Sequence, residues 1–589
     1  MPIILYTTLQ IANVYIASPT VDEPGHLVAG LSHWELGNFD VYRVNPPLPR
    51  LVGSLPVWLI GYVPPLDEFT RDQKKRTEFD LGRSYICDSG PDAYWHFVLG
   101  RIALIPFGWI GITTTWLWAT SLFGRKAAMV SAMLYATSPN LLAHGGLLTP
   151  DATATAMGLL AGYRFHRWLS ARDMANLFYA TVALGTAQLC KHTFLVFYPL
   201  MVVLILADSC RRGTHWRSLF SGVAACLALI VGSLFIVNLG YGFEDFGRPL
   251  NQYQFVSRLF RGNEVDSSTK WVRDGSQVHP LDKDRHRFSN VPLLSDLRVP
   301  LPGNYVRGLD HQQADFESGM NSYSLGRLRD HGWPYFYGLA MGLKTPIGTL
   351  LLIPLSLAIR PLFRRHADWL PLAFAVAIHV AAATKGGFTM HYRYVLPAIP
   401  FVFVFAGRAV TVGGFRSTIA WARFGAAVTG SVLSWPNHLA YSNAFTIGQQ
   451  KGWFLLDSNL DWGQDLRRLQ WWKETEANGS SVYVGSFNHF DVGVLSGGKL
   501  KNLLPDHLVL LGSDSDRDLG SKPRPSDYCA ISVNQLRELG KPIYTCDAKP
   551  WVIDPLWLRR VRRLTPVAEV GETYKIYTFQ QLHSISQSH

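Results

Sequence analysis

The chain has 589 residues, 48% of them hydrophobic and only 17% charged, with 19 Trp, 24 Tyr and 32 Phe. That charge content is below the roughly 25% of an ordinary soluble protein, and the length implies more than one domain. The net charge of +12 does not mark a nucleic-acid partner, because the basic residues sit in short clusters between apolar runs rather than along one stripe.

In chain order, apolar stretches near 3–18, 97–122, 127–142, 148–163, 174–190, 193–208, 218–239, 336–359, 368–384, 394–410 and 417–435 predict about eleven membrane-spanning helices, the first of them short. Basic links at 124–128, 164–173, 211–217, 360–366 and Arg408–Arg416 all fall on one side of this alternation. The positive-inside bias puts them, and the N-terminus, in the cytoplasm. The opposite side receives residues 19–96, the links around Asp151, Lys191 and "KGGFTMHYR", the loop 240–335, and everything after about 436. No basic n-region precedes the first apolar run, so a removable signal peptide is not expected. Residues 1–436 then form a transmembrane domain of mainly α class, and 437–589 an extracytoplasmic C-terminal domain.

In that last part, "SVYVGSF", "YCAISV" and "YKIYTF" alternate as strands do, and "DLRRLQWWKE" is amphipathic, which predicts a small α/β or α+β unit. In the first loop, Pro46 and Pro47 precede an amphipathic stretch from Leu48 to Ile60 suited to a membrane surface. The six cysteines make no metal-binding spacing, and Cys529 with Cys546 is the nearest candidate pair.

The outward face collects the chemistry. Asp22 and Glu23 stand just beyond the first span, with His26 one helical turn past Asp22, and Asp151 opens the fourth. Acids at a helix start are also favoured by the helix dipole alone. Lys344 and Arg393 lie at the outer ends of the eighth and tenth spans, and Arg101 lies within the second. Ionisable residues at such depths are functional candidates, with snorkelling to lipid headgroups as the plain alternative. His391 and Tyr392 read as interface anchors.

The ordered stretches "DEPGHLVAGLSHWELGNFD", "NPPLPRLVGSLP", "LYATSPNLLAHGGLLTPDATATA", "AQLCKHTFLVFYPL" and "HYRYVLPAIPF" resemble the type C (GT-C) glycosyltransferases. The resemblance is to the branch of protein O-mannosyltransferases and aminoarabinose transferases, and it covers roughly residues 15–410. The block "DSNLDWGQDL" at 457–466 is similar to a bacterial subgroup. The resemblance implies a bacterial inner-membrane enzyme that takes a sugar from a polyprenyl-phosphate donor, with inversion, to a hydroxyl of a protein, lipid or surface glycan. It implies Asp22 as the base, Glu23 as a supporting acid, and Asp151 as a group that positions the acceptor. It implies Lys191, Lys344, Arg393 and, more weakly, Arg101 as contacts to the donor phosphate. A divalent metal held by Glu23, His26 and Asp151 is an open option. Asp461, Trp462 and Gln464 are candidates for the acceptor, against the plainer reading of "DSNLDWGQD" as an ordered cap on the helix from Leu466. A lipid or glycan transporter, or a membrane-anchored assembly protein, is the rival class. A transporter predicts internal symmetry and charges deep in several spans, and neither is visible.

Overall fold

The computed structural model describes residues 1–62, 66, 76–212, 216–262, 288, 291, 294–359, 368–450, 452–509, 523–547 and 550–586. The basic run 360–366 and the middle of the 240–335 loop fall outside them.

The chain is mainly helical. α1 (Pro2–Ile16) leads into a first loop built of α2 (Glu23–Leu36), α3 (Leu48–Leu59) and α4 (Glu78–Ser89). The bundle follows with α5 (Ala93–Phe123), α6 (Arg125–Thr137), α7 (Pro139–Gly145), α8 (Pro150–Ala171), α9 (Met174–Gln188), α10 (Phe197–Arg212) and α11 (Trp216–Gly240). After the short α12 (Arg258–Arg261) and α13 (Gly303–Ser318) come α14 (Phe336–Lys344), α15 (Ile347–Leu357), α16 (Leu370–Ala383), α17 (Ile399–Ala406) and α18 (Phe415–Leu433). Each of the eleven expected segments is thus helical over most of its length.

Length and apolarity alter that picture. Among the described residues three helices are long and apolar enough to cross a membrane, and a fourth if α14 and α15 count as one broken span. The expected eighth span is not continuous: its two halves meet at 109°, and Pro346, which has no amide hydrogen to donate, stands at the break. α1 has 15 residues and α16 has 14, both short of the ~20 a straight crossing requires.

One large core of Ala, Leu and aromatic side chains runs through α5, α6, α8–α11 and α14–α17, with Trp118, Phe165, Phe374 and Phe401 at its centre. Charge divides the bundle into two ends. At one end, Arg172 pairs with Asp208, and Arg408 lies over the Phe123 ring at 5.7 Å. The start of α8 and the residue Arg101 in α5 lie at the other end, against the first loop.

The C-terminal region has the expected strands. β3 (Val482–Gly485), β5 (Tyr528–Ser532) and β7 (Tyr574–Thr578), with β4 (Lys501–Asn502) and β6 (Ala568–Val570), form a mixed sheet in the order β4-β3-β5-β7-β6. Separately, β1 (Ser322–Ser324) and β2 (Arg327–Arg329) make a hairpin. The helix predicted from "DLRRLQWWKE" is α19 (Leu466–Glu476), and it packs on this sheet through Leu466 and Leu469. The disulfide joins Cys87 to Cys546, and Cys529 is a free, buried thiol. The expected Cys529–Cys546 pairing fails because Cys529 lies inside β5, packed between β3 and β7.

The C-terminal region is laid against the first loop. The Ser18 amide donates to the Gln464 carbonyl at 2.9 Å and the Val21 amide to the Trp462 carbonyl at 3.1 Å. Val21, Leu147, Tyr323, Leu456, Leu460, Trp462 and Phe487 close a small apolar core beneath that seam.

Candidate active site

The adjacent acids Asp22 and Glu23 separate at the start of α2. Glu23 occupies the first turn, where a carboxylate suits the helix dipole, and Pro24 fixes the backbone beside it. The Glu23 carboxylate turns inward. Its Oε1 accepts from Arg101 Nε and the Leu148 amide, both at 2.7 Å. Its Oε2 accepts from Arg101 Nη2 at 2.7 Å, the Thr20 amide at 2.7 Å and the Thr20 hydroxyl at 3.0 Å. Arg101 spends its other N–H groups on the carbonyls of Val14, Ala17 and Ser18. Every donor of that guanidinium is used, and both side chains are fully buried.

Asp22 points the other way, toward three other segments. Its Oδ2 accepts from Arg393 Nη1 at 2.7 Å, and the same nitrogen is 3.9 Å from Asp151 Oδ2. Asp151 sits in the first turn of α8, behind Thr149 and Pro150, and its Oδ1 accepts from Lys191 Nζ at 2.6 Å. Lys191 lies in the break after α9, and Arg393 in the tight turn Tyr392–Tyr394 ahead of Pro397. The structure therefore brings together four of the expected residues, Asp22, Asp151, Lys191 and Arg393.

A third cation, not singled out from the sequence, stands beside them. Lys385 follows α16, with its Nζ 4.3 Å from the centre of the Tyr394 ring and 5.3 Å from that of Phe316. Lys191 shares the Tyr394 ring at 5.3 Å. Lys385 Nζ, Arg393 Nε, Asp151 Oδ2 and His144 Nδ1 are all buried without a hydrogen-bond partner. Burial, and then the charge of Lys191, hold the Lys385 ammonium down at about 7. Burial pushes the Asp22 carboxyl up, but the charge and hydrogen bond of Arg393 outweigh it and leave the group below its ordinary value.

The remaining expectations are placed differently. Lys344 donates to the carbonyls of Leu439 and Asn459, at 2.7 and 2.6 Å, rather than to either acid. His26 stacks on Tyr42 with ring centres 4.1 Å apart, and burial, with Arg50 nearby, pulls it down to about 3. Among the described residues no three His, Cys, Asp or Glu side chains converge as a metal site. Both Glu23 oxygens accept from Arg101 and nearby backbone amides, and Asp151 accepts from Lys191 through Oδ1 alone. Asp461 accepts from the Ser532 hydroxyl at 2.5 Å, and Gln464 spends its amide on Trp462 and Leu460 within its own loop. Trp462 is 1% exposed. His391 and Tyr392 are buried rather than at an interface, and His391 bonds the Ser458 hydroxyl at 2.9 Å. A cavity of about 580 Å³ opens near Lys344, Tyr441 and Asn459, away from the paired acids.

Residues 97–237, about a quarter of the chain, match the family described as dolichyl-phosphate-mannose-protein mannosyltransferase. The matched stretch spans α5 to α11 and carries Arg101, Asp151 and Lys191. No curated protein matches the chain. Among solved structures, ArnT from Cupriavidus metallidurans bound to undecaprenyl phosphate is similar at 12% identity, covering 98% of this chain and 96% of that one, with a TM-score of 0.43. The archaeal oligosaccharyltransferase AglB from Archaeoglobus fulgidus, in complex with an inhibitory peptide and a dolichol-phosphate, is similar at 11% identity, covering 91% and 69%, with a TM-score of 0.39.

Proposed function

We propose that this chain, a glycosyltransferase of the mannosyltransferase-like GT-C kind, moves a sugar from a polyprenyl-phosphate carrier to an acceptor hydroxyl. The supporting observation is the cluster itself: two carboxylates and three cations, brought from four segments, with four buried polar atoms, His144 Nδ1 among them, left open. A buried polar atom without a partner costs free energy, so such a set suits a ligand that completes it. An anion answers Lys191, Lys385 and Arg393, and a hydroxyl answers Asp22.

The chemistry then follows. The acceptor oxygen attacks the anomeric carbon as the bond from that carbon to the phosphate oxygen breaks, with inversion. The hydroxyl proton passes to Asp22, and the polyprenyl phosphate departs as an anion held by the cations. Arg393 pairs with Asp22 in the absence of donor, which lowers the basicity of the base. Phosphate accepts the same planar fork, so donor binding draws Arg393 away and returns Asp22 to proton transfer. Glu23 and Arg101 act as the hinge pin that fixes Asp22 in place, and Asp151 orients Lys191.

The Cys87–Cys546 bond supports an extracytoplasmic position for the first loop and the C-terminal region, because disulfides persist in oxidising compartments. The basic links support the opposite face as cytoplasmic, in a bacterial inner membrane. The test is purified protein in nanodiscs with a radiolabelled polyprenyl-phosphate sugar. Consumption by the native chain and loss of it in Asp22→Asn are expected; an unchanged rate in Asp22→Asn sinks this reading.

A further inference from the structure

We infer that residues 457–462 of the C-terminal region act as a splint that positions Arg393, with Trp462 as the residue that orients its guanidinium. The inference rests on the donor-phosphate role proposed for Arg393, but the geometry extends beyond it.

The match between the two segments runs nearly residue by residue. Asn459 donates its side-chain amide to the Met390 carbonyl at 2.9 Å, and its Oδ1 accepts from the Tyr392 amide at 2.9 Å. The Ser458 hydroxyl bonds His391 at 2.9 Å, and Asp457 Oδ1 is 3.8 Å from the same ring nitrogen. Trp462 then lies 4.3 Å beneath the Arg393 guanidinium. Residues 390–393 are thus braced at every position by one short block.

The block is itself held rigidly. Asp457 adopts a left-handed backbone with φ +57, and its amide donates to Asn534 Oδ1 at 3.0 Å. Asn534 also donates to the Asp461 carbonyl at 2.7 Å. Gly463 has φ +89, and a Cβ there would collide with the Asn488 side chain, so glycine is required at that turn. On the other side the Trp462 carbonyl is tied to Val21, one residue before Asp22.

An aromatic face under a guanidinium leaves the in-plane N–H edges free while fixing the plane. Here Nη1 is aimed at Asp22 while Nε is buried and unpaired. Removing the indole frees the plane to rotate, so Arg393 would lose its registration on both Asp22 and the incoming phosphate. Trp462 touches neither reacting group and is a positioning residue.

The experiment compares Trp462→Ala, Trp462→Leu and Trp462→Phe in the full-length protein in nanodiscs. Folding is checked by the melting temperature and the intact Cys87–Cys546 bond. The first readout is modification of Arg393 by phenylglyoxal, resolved by peptide mass spectrometry. The rate should rise at least tenfold in Ala and Leu and return toward the native value in Phe. The second is donor kinetics: KM for the polyprenyl-phosphate sugar should rise at least tenfold in Ala and Leu, by more than kcat falls, with recovery in Phe. If Trp462→Ala does not fold, the Leu-against-Phe contrast decides, since Leu keeps apolar bulk without a π face. Arg393 reactivity that is the same in Leu and Phe overturns the splint. Native protein that never consumes donor, with Arg393 reactivity still rising in Leu, upholds the splint and removes the donor reading instead.

Discussion

Asp22 and Glu23 are neighbours in the chain, and each is paired with an arginine, yet the two pairs are built for opposite purposes. Around Glu23 and Arg101 every lone pair and N–H in reach is spent, and nothing is left to offer a ligand. Around Asp22 and Arg393 the pairing is incomplete, and unpartnered atoms of Asp151, Arg393, Lys385 and His144 gather within the same few side chains. A saturated buried ion pair fixes geometry; an unsaturated one is where chemistry has room to happen.

The widest separation between the two comes from single substitutions. Asp22→Asn should cut kcat by roughly 10²–10⁴-fold, the usual worth of a general base, with little change in melting temperature. Glu23→Gln should instead strand Arg101 and cost about 3–5 kcal/mol of stability, read by denaturant or thermal unfolding, with activity tracking the folded fraction. A Glu23→Gln protein that melts like the native chain but is catalytically dead would reverse the assignment of the two acids.

Charge on Lys385 sharpens the comparison. Its ammonium, held at about 7, is protonated below that pH and neutral above it. KM for the donor should therefore climb on the alkaline side of 7, by about tenfold per pH unit at most, and Lys385→Arg should flatten the rise. A profile indifferent to Lys385→Arg would remove this residue from the phosphate site.

The smallest effect is expected in the C-terminal region, where burial raises the Asp461 carboxyl from 3.8 to about 7. The folded chain keeps this proton while the unfolded chain releases it, so stability falls as pH rises from about 4 to 7. Asp461→Asn should reduce that slope in a series of thermal melts at different pH.

Much of the site was legible because a charge at the end of an apolar segment is conspicuous. Asp22, Asp151, Lys191 and Arg393 each carried that mark and converge in space. At Glu23, Arg101 and Lys344 the same mark belongs to groups saturated by their neighbours, and a sequence displays charges without showing which carbonyls and amides already satisfy them. Lys385 bears the same mark as Arg393 and stands in the same link, "KGGFTMHYR". Strands β3, β5 and β7 were visible from alternation; their order, set by crossovers, was not. Span lengths were overestimated where Pro346 breaks an apolar run. The cysteine pairing was missed because Cys87 and Cys546 are 459 residues apart and only the folded first loop brings them together.

That bond has a consequence for the integrity of the chain. It closes a covalent ring that contains α5 through α18 and most of the C-terminal region. A single protease cut anywhere between Cys87 and Cys546 leaves one molecule rather than two. The fragments would part on a gel only after a reductant is added, and until then, for any cut ahead of Trp462, the piece bearing Trp462 stays tethered to the piece bearing Asp22.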